Sequence, residues 1–391
     1  MSDAALKVAV IAGEVSGDLL GGDLIAALKA KFQGSVELIG VGGESLERQG
    51  LVPLFDFSEL SIMGLTQVLV RLPNLIRRIG QTADAIIAAK PDVLIIIDSP
   101  DFTHRVARKV RKQLPDLPIV DYVCPSVWAW KEYRAQAMLA YVDHVLAVLP
   151  FEPAVMQRLG GPATTFVGHR LTADTSLLEA RAQRLAHPLE NGGQKTILLL
   201  PGSRGAEIRK LLPVFGEAAA LIASRDPNVR FLLPTVPRQE ALVRELVAGW
   251  AIQPEISVGQ VDKWHAFAKA DAAMAASGTV ILELSLTGIP VVSAYKADWL
   301  ITMLNKRIKI WTAALPNLIA DYVVVPEYIN EVIRPGALAR WVEQLSQDTP
   351  PRRAMLAGFE LVWQRLRTDI PPGEHGAKII LDLLNKKPGH R

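Results

Sequence analysis

A short apolar run, a glycine-bearing turn and a helical pattern occur in that order twice, about half a chain apart. The first instance is Lys7-Val-Ala-Val-Ile-Ala12, then Gly13-Glu14-Val15-Ser16-Gly17-Asp18, then a helical stretch from Leu19 to Lys31. The second is Thr196–Leu200, then Pro201-Gly202-Ser203-Arg204-Gly205-Ala206-Glu207, then another helical stretch. Continuous apolar runs with turn residues at both ends suit strands covered on both faces, as in a parallel sheet. Val36–Val41, Val93–Ile97, Ile119–Val123, His144–Val148, Phe231–Pro234 and Val291–Ser293 repeat the pattern, and helical stretches fall between most of them. That order implies right-handed βαβ crossovers. One large doubly wound domain would satisfy the alternation, but two glycine-turn units so far apart favour two Rossmann-like domains. The join is expected near Arg170–Gln194, where Thr172-Ala-Asp-Thr and Pro188-Leu-Glu-Asn-Gly-Gly193 interrupt the periodicity. The expected organisation is therefore a first domain over 1–175, a second over 176–360 and a helical tail over 361–391.

Composition narrows the function classes. A chain of 391 residues, half of them hydrophobic and 21% charged, has ample material for two or three full cores. Its single cysteine excludes a disulfide framework and any multi-cysteine zinc or iron–sulfur site, and no His/Asp/Glu cluster has metal-ligand spacing. A net charge of +3 is too small to argue for nucleic acid. Asp3 precedes the first apolar run and Lys7 lies inside it, so Met1–Gly17 reads as a first strand and not a signal peptide. No run of 18 or more uncharged apolar residues occurs, so a cytoplasmic protein, soluble or bound to a membrane surface, is expected.

Two Rossmann-like halves invite a nicotinamide or flavin enzyme, but the phosphate fingerprint is missing. Gly13-x-x-x-Gly17 and Gly202-x-x-Gly205 are not G-x-G-x-x-G, Gly40-Val41-Gly42-Gly43 lacks the third glycine, and no P-loop occurs. Other residues carry the chemistry. Asp98 closes the buried run Val93–Ile97, and open α/β sheets react at the carboxyl ends of their strands. There it can accept a proton from an attacking hydroxyl. Equally, Asp98 or Ser99 can cap the helix that Pro100 begins; spacing alone leaves both roles open. Glu14, Ser16, Gly17 and Asp18 form a turn that can hydrogen-bond a sugar ring, with helix capping by Ser16 or Asp18 at least as good an account; Glu14 is the second candidate base. Gly202, Ser203 and Arg204 offer backbone N–H groups, a hydroxyl and a guanidinium at a helix start, and Ser277-Gly278-Thr279 is a second loop of that kind. Helix N-termini attract phosphate and Arg clamps its oxygens, so the pair suggests a pyrophosphate site.

These segments resemble the lipid-A-disaccharide synthase family. The likeness begins at Ala12-Gly-Glu-Val-Ser-Gly-Asp18 and continues through Ile97-Asp-Ser-Pro-Asp-Phe102, Pro125-Ser-Val-Trp-Ala-Trp130, Leu149-Pro-Phe-Glu152 and Gly168-His169. It runs on through Leu199-Leu-Pro-Gly-Ser-Arg-Gly-Ala-Glu207, Ala276-Ser-Gly-Thr279 with Glu283, and Leu315-Pro-Asn-Leu318. Cys124 and Lys131 are mild departures, and the segment after Val325 matches loosely. The resemblance implies an α/β fold of GT-B type, two Rossmann-like domains facing a central cleft, and an inverting glycosyltransferase that needs neither metal nor other cofactor. It implies UDP-2,3-diacylglucosamine as donor, 2,3-diacylglucosamine 1-phosphate (lipid X) as acceptor, Asp98 as general base, and a donor site that includes Glu283, gripping ribose hydroxyls, and Asn317. On the residues alone, Glu283 is an exposed helix charge and Pro316-Asn317 a turn. Two basic apolar segments, Leu60–Ile79 and Trp299–Trp311, suit either a core-facing helix or the inner surface of the inner membrane; acylated substrates would make the second useful. A homodimer is compatible with all of this. The rivals are UDP-N-acetylglucosamine 2-epimerase, the transferase that makes the peptidoglycan lipid intermediate, and a non-catalytic nucleotide-sugar binder at the membrane.

Overall fold

The computed structural model describes residues 5–60, 65–186, 189, 193–296 and 310–386. Its chain divides into two compact units, Met1–Arg170 with Thr368–Arg391, and Leu171–Arg367. Each is built on one parallel six-stranded sheet with helices between the strands. In the first unit the strands are β1 (Leu6–Ala12), β2 (Val36–Val41), β3 (Val93–Ile97), β4 (Ile119–Tyr122), β5 (His144–Ala147) and β6 (Ala163–Phe166), in spatial order 2-1-3-4-5-6. In the second they are β7 (Thr196–Leu200), β8 (Arg230–Thr235), β9 (Glu255–Val258), β10 (Ala272–Ala276), β11 (Val291–Tyr295) and β12 (Glu327–Ile329), in order 12-11-10-7-8-9.

The central strands explain themselves. Every residue of β3, Val-Leu-Ile-Ile-Ile, is buried, and so is every residue of β7 and β10. Alternate side chains of the first sheet feed two cores, one holding Ile96, Ile119 and Val106, the other Ile95, Ile97 and Leu24. A strand order that reverses within the sheet sends successive helices to opposite faces and opens a crevice at the strands' carboxyl ends. That reversal lies between β1 and β3 in the first unit and between β7 and β10 in the second.

The chain's end differs from the expected separate tail over 361–391. Its last helix, Pro372–Asn385, belongs to the first unit, where Ala377, Ile380 and Leu384 join the core of Leu24, Ile25 and Leu28. Small residues permit this. A Cβ at Gly373 would stand 2.8 Å from the Asp23 carbonyl oxygen, so only glycine lets the two helices approach so closely. No helix among the described residues is long and apolar enough to cross a membrane.

Candidate functional site

In the first unit the candidate residues gather at the switch point, on the loops after β1 and β3. Gly13 is the contact between them: a Cβ there would lie 2.6 Å from both Cβ and Oγ of Ser99. Asp98 and Ser99 take left-handed backbone angles, φ +52° and +45°, which non-glycine residues rarely adopt. The elbow they form turns a buried strand directly into the helix Pro100–Gln113. Asp98 is half-buried, and its Oδ1 accepts the Ser99 N–H at 2.7 Å. Glu14 and Ser16 are exposed, at the start of the helix Val15–Lys31. Ser16 makes no cap there, because the N-cap position is Glu14, without a side-chain cap bond.

Asp18 is otherwise engaged. Its carboxylate is buried and accepts the backbone N–H groups of Gly43, Ser45 and Leu46 at 2.7, 2.8 and 3.2 Å. It thus caps the short helix Glu44–Glu47 and not the helix in which it lies. Gly17 is buried too, packed against the last residue of β3, Ile97. Of this loop's candidate residues, Glu14 and Ser16 are the ones with exposed side chains.

Further acids and aromatics surround this end of the sheet. Burial holds Glu152 protonated, with its pKa pushed up to about 8, while its oxygens accept Trp128 Nε1 at 3.2 Å and Leu149 N at 3.0 Å. Trp128 also meets Phe151 edge-on at 5.4 Å, which makes it a structural anchor. Trp130 is 37% exposed, with the Lys131 ammonium 3.9 Å above its ring. Burial lowers the pKa of His169 to about 4, so it stays neutral, as befits a core histidine. Cys124 is buried, which raises its thiol pKa far above the ordinary range.

In the second unit a cavity of about 500 Å³ opens at the carboxyl ends of β7, β8 and β10, and Gly202, Ser203, Arg204, Ser277, Gly278, Thr279 and Glu283 all line it. Three helices begin at its wall: Gly205–Arg225, Gln260–Lys269 and Thr279–Thr287, with Arg204, Gly259 and Gly278 as N-caps. None of the three has a side-chain cap; Ile281 N–H donates to the Gly278 carbonyl at 3.1 Å, and the other first-turn N–H groups are open to a ligand, where three helix dipoles favour an anion. Gly202, Gly259 and Gly278 all have positive φ, and a Cβ on Gly202 would strike Glu207 Oε2 at 2.6 Å. Arg204 is well exposed; its Nη1 pairs with Glu207 Oε1 at 3.0 Å.

Glu283 is not the exposed helix charge that its residues alone allow. Lys263 Nζ stands 3.0 Å from each of its oxygens, both side chains are largely buried, and Trp264 and Phe267 flank the ammonium. Sequence reading missed Lys263; the only signal was Gly259, a glycine before a helix. Asn317 does not line this cavity. Its buried amide accepts the N–H groups of Val324 and Val325 and donates to Thr312 Oγ1 and the Val325 carbonyl, which fastens the loop ahead of β12. A larger cavity, about 810 Å³, lies among the amino ends of β7 and β10. Its Arg181, Arg184 and Arg352 are spent on backbone carbonyls, including those of Leu286, Gly288 and Leu345 at or beside helix C-termini, so we assign it a structural role.

The two basic apolar segments lie partly outside the described residues. Within Leu60–Ile79, residues 61–64 lie outside the described residues; Arg78 pairs with Glu59 and stacks on Phe55, and Arg77 donates to Asn74. Of Trp299–Trp311, only the last two residues are described, and Trp311 is exposed.

Known proteins resemble this chain over most of its length. Residues 8–352 match the family model of lipid-A-disaccharide synthetase. A lipid-A-disaccharide synthase of Nitrobacter winogradskyi is 46% identical over 382 residues, 97% of this chain and 96% of that protein. One of Rhodopseudomonas palustris is 45% identical over 384 residues, 98% and 97% of the two chains. Among solved structures, a UDP-GlcNAc 2-epimerase of Neisseria meningitidis bound to UDP-GlcNAc superposes with a TM-score of 0.59 at 14% identity, covering 98% of this chain and all of that one. The calicheamicin glycosyltransferase CalG4 gives 0.60 at 13%, covering 99% and 100%. At such identities the likeness concerns the fold, which is that of GT-B glycosyltransferases and sugar-nucleotide epimerases.

Proposed function

The chain belongs to the lipid-A-disaccharide synthetase family, and on that premise we propose that it transfers 2,3-diacylglucosamine from UDP-2,3-diacylglucosamine to lipid X. The products are the β-1,6-linked lipid A disaccharide 1-phosphate and UDP. The observation that carries this reading is the family likeness over nearly the whole chain; the epimerases share only the fold.

The second unit holds the donor in this reading. The diphosphate lies on the three uncapped helix starts beside Ser203, Arg204, Ser277 and Thr279, and Glu283, oriented by Lys263, grips ribose hydroxyls. The first unit holds the acceptor. Its 6-hydroxyl gives its proton to Asp98, and the oxygen forms a bond to the anomeric carbon as the bond to the diphosphate breaks on the opposite face. The electron pair of that bond leaves with UDP. Arg204 and the loop amides stabilise the growing negative charge, the part a divalent cation plays elsewhere. Glu14 is the alternative base, and Asn317 acts on the donor side only by fixing the loop before β12. We further place the enzyme on the cytoplasmic face of the inner membrane, held there by the basic apolar segments, and allow for a homodimer.

The test is mass spectrometry of products after incubation with both acylated sugars, with and without chelator. A disaccharide 1-phosphate formed equally in both supports the reading. Epimerised sugar nucleotide from a soluble UDP-sugar, or UDP binding without turnover, would replace it with one of the rivals.

A further inference from the structure

The elbow at Asp98–Ser99 needs something to hold it. Two successive non-glycine residues in left-handed conformation are disfavoured, and such strain persists only where surrounding contacts over-determine it. Four contacts do so. Asp98 N–H donates to the Tyr122 carbonyl at 3.2 Å, which ties the elbow to the end of β4. Ser99 N–H donates to Asp98 Oδ1, which fixes the carboxylate's rotation; among the described residues Oδ2 has no hydrogen bond. The bare Cα of Gly13 leaves room for the Ser99 side chain.

The fourth contact is Thr103. Fully buried in the first turns of the helix Pro100–Gln113, it points its hydroxyl back at the elbow, 2.7 Å from the Asp98 carbonyl oxygen and 3.1 Å from that of Ser99. One hydroxyl thus grips the carbonyls of both strained residues. The helix carrying Thr103 is itself seated on β4, because the next residue, His104, sets Nε2 3.3 Å from buried Asp121 and Nδ1 3.0 Å from the Tyr141 hydroxyl.

We propose that Thr103 is a positioning residue for catalysis: its hydroxyl latches the left-handed elbow so that Asp98 presents its unengaged oxygen to the acceptor hydroxyl. This rests on the reading of Asp98 as the base. The latch touches no substrate, so it acts on turnover and not on binding. Displacement of a reacting group by about 1 Å can cost on the order of 100-fold in rate.

The experiment compares Thr103→Val, which keeps the shape and removes the hydroxyl, with Thr103→Ser, which keeps the hydroxyl. The readouts are kcat, KM for lipid X, UDP affinity and thermal unfolding on the full chain. Thr103→Val is expected to lower kcat by roughly 10- to 100-fold while KM and UDP affinity stay within about twofold. Thr103→Ser is expected to recover most of the lost kcat. A packing role alone would lower the unfolding temperature and leave kcat of the folded enzyme intact, and that result, or a Thr103→Ser variant as slow as Thr103→Val, overturns the proposal. Should Thr103→Val fail to fold, Gly13→Ala strains the same elbow from the other side and must show the same kcat-only loss. Asp98→Asn separates the two readings. If it keeps turnover, the base assignment falls and the latch falls with it; if it loses turnover while Thr103→Val keeps it, the base assignment stands and the latch alone falls.

Discussion

Replacement of Asp18 decides whether the loop after β1 uses that carboxylate for structure or for substrate. Three backbone N–H groups converge on it, at 2.7, 2.8 and 3.2 Å, at a site 4% exposed. A hydrogen bond to a charged acceptor contributes about 1.5–3 kcal/mol, and the 3.2 Å contact belongs at the low end. Asp18→Ala strands the donors of Gly43 and Leu46 in the interior, while Ser45 N–H, only part-buried, can recruit water. Counting two full losses and one partial one, with some relaxation, gives about 3–5 kcal/mol of destabilisation. Asp18→Asn keeps one oxygen but turns an N–H₂ group toward a donor, so it should cost about 2–3 kcal/mol. Urea unfolding of the first unit, followed by circular dichroism, measures both. The folded fraction of Asp18→Asn should retain turnover within a few-fold. A variant with native stability whose kcat collapses would refute the capping argument and return Asp18 to the acceptor site.

Arg204→Ala should weaken UDP binding, measured by calorimetry, because in the proposed donor site its exposed guanidinium, beside three helix starts, pairs with phosphate in the ground state; unchanged affinity removes it from that site. Glu283→Ala and Lys263→Met should each weaken UDP binding, and the double variant should be little worse than either, since each residue acts through the other; strict additivity would show that they act separately. Native Cys124 should resist thiol reagents at neutral pH, since burial both hides it and disfavours its thiolate; rapid labelling without denaturant contradicts this. Glu152 keeps its proton to about pH 8 when folded against an ordinary 4.5 unfolded, so its contribution is full below pH 4.5 and is lost as pH rises to 8; Glu152→Gln should flatten that slope, and parallel profiles for the two proteins would refute it.

Much of this molecule was legible in its residue order, for reasons that also explain the gaps. β3 (Val-Leu-Ile-Ile-Ile) and Ile197–Leu200 of β7 stand where continuous Val/Ile/Leu runs meet turn residues, because a strand covered on both faces favours apolar residues throughout. The missed strands lack that signature. β10 is Ala-Ala-Met-Ala-Ala, whose residues prefer helix and which is a strand only because its neighbours β7 and β11 pair with it. β6, β9 and β12 are short edge strands with exposed residues. The glycine loops that line the second unit's cavity were legible because glycine before a helix has a local cause. Asp18, Asn317 and Lys263 were not, since each is defined by a partner remote in the chain or by a backbone group that carries no letter: Gly43 N–H is 25 residues from Asp18, and Glu283 is 20 from Lys263. The return of the last helix to the first unit was invisible for the same reason. A glycine at 373 has no distinctive pattern until the Asp23 carbonyl lies against it.

The two sheets order their strands differently, yet both gather their candidate site residues at the reversal of strand order, and that reversal explains why. On either side of a reversal the connecting helices leave toward opposite faces, so no crossover covers the carboxyl ends of the two middle strands. In the second unit those ends are Leu200 and Ala276; their loops leave helix starts uncapped by side chains, which makes a site for anions. In the first unit they are Ala12 and Ile97, and their loops bring carboxylates, Glu14 and Asp98, with one N–H group already spent on Asp98 Oδ1. Amides without caps attract a diphosphate; a carboxylate with one oxygen engaged can take a proton at the other. On the proposed reading, the difference between a binder of leaving group and a remover of protons is made by what fills the same topological position. Exchanging the loop after β10 for one with an acidic N-cap should therefore abolish UDP binding without unfolding the sheet, since β10 itself is held by β7 and β11 on its two sides. Retained UDP affinity in a folded Gly278→Asp variant would show that the phosphate rests elsewhere.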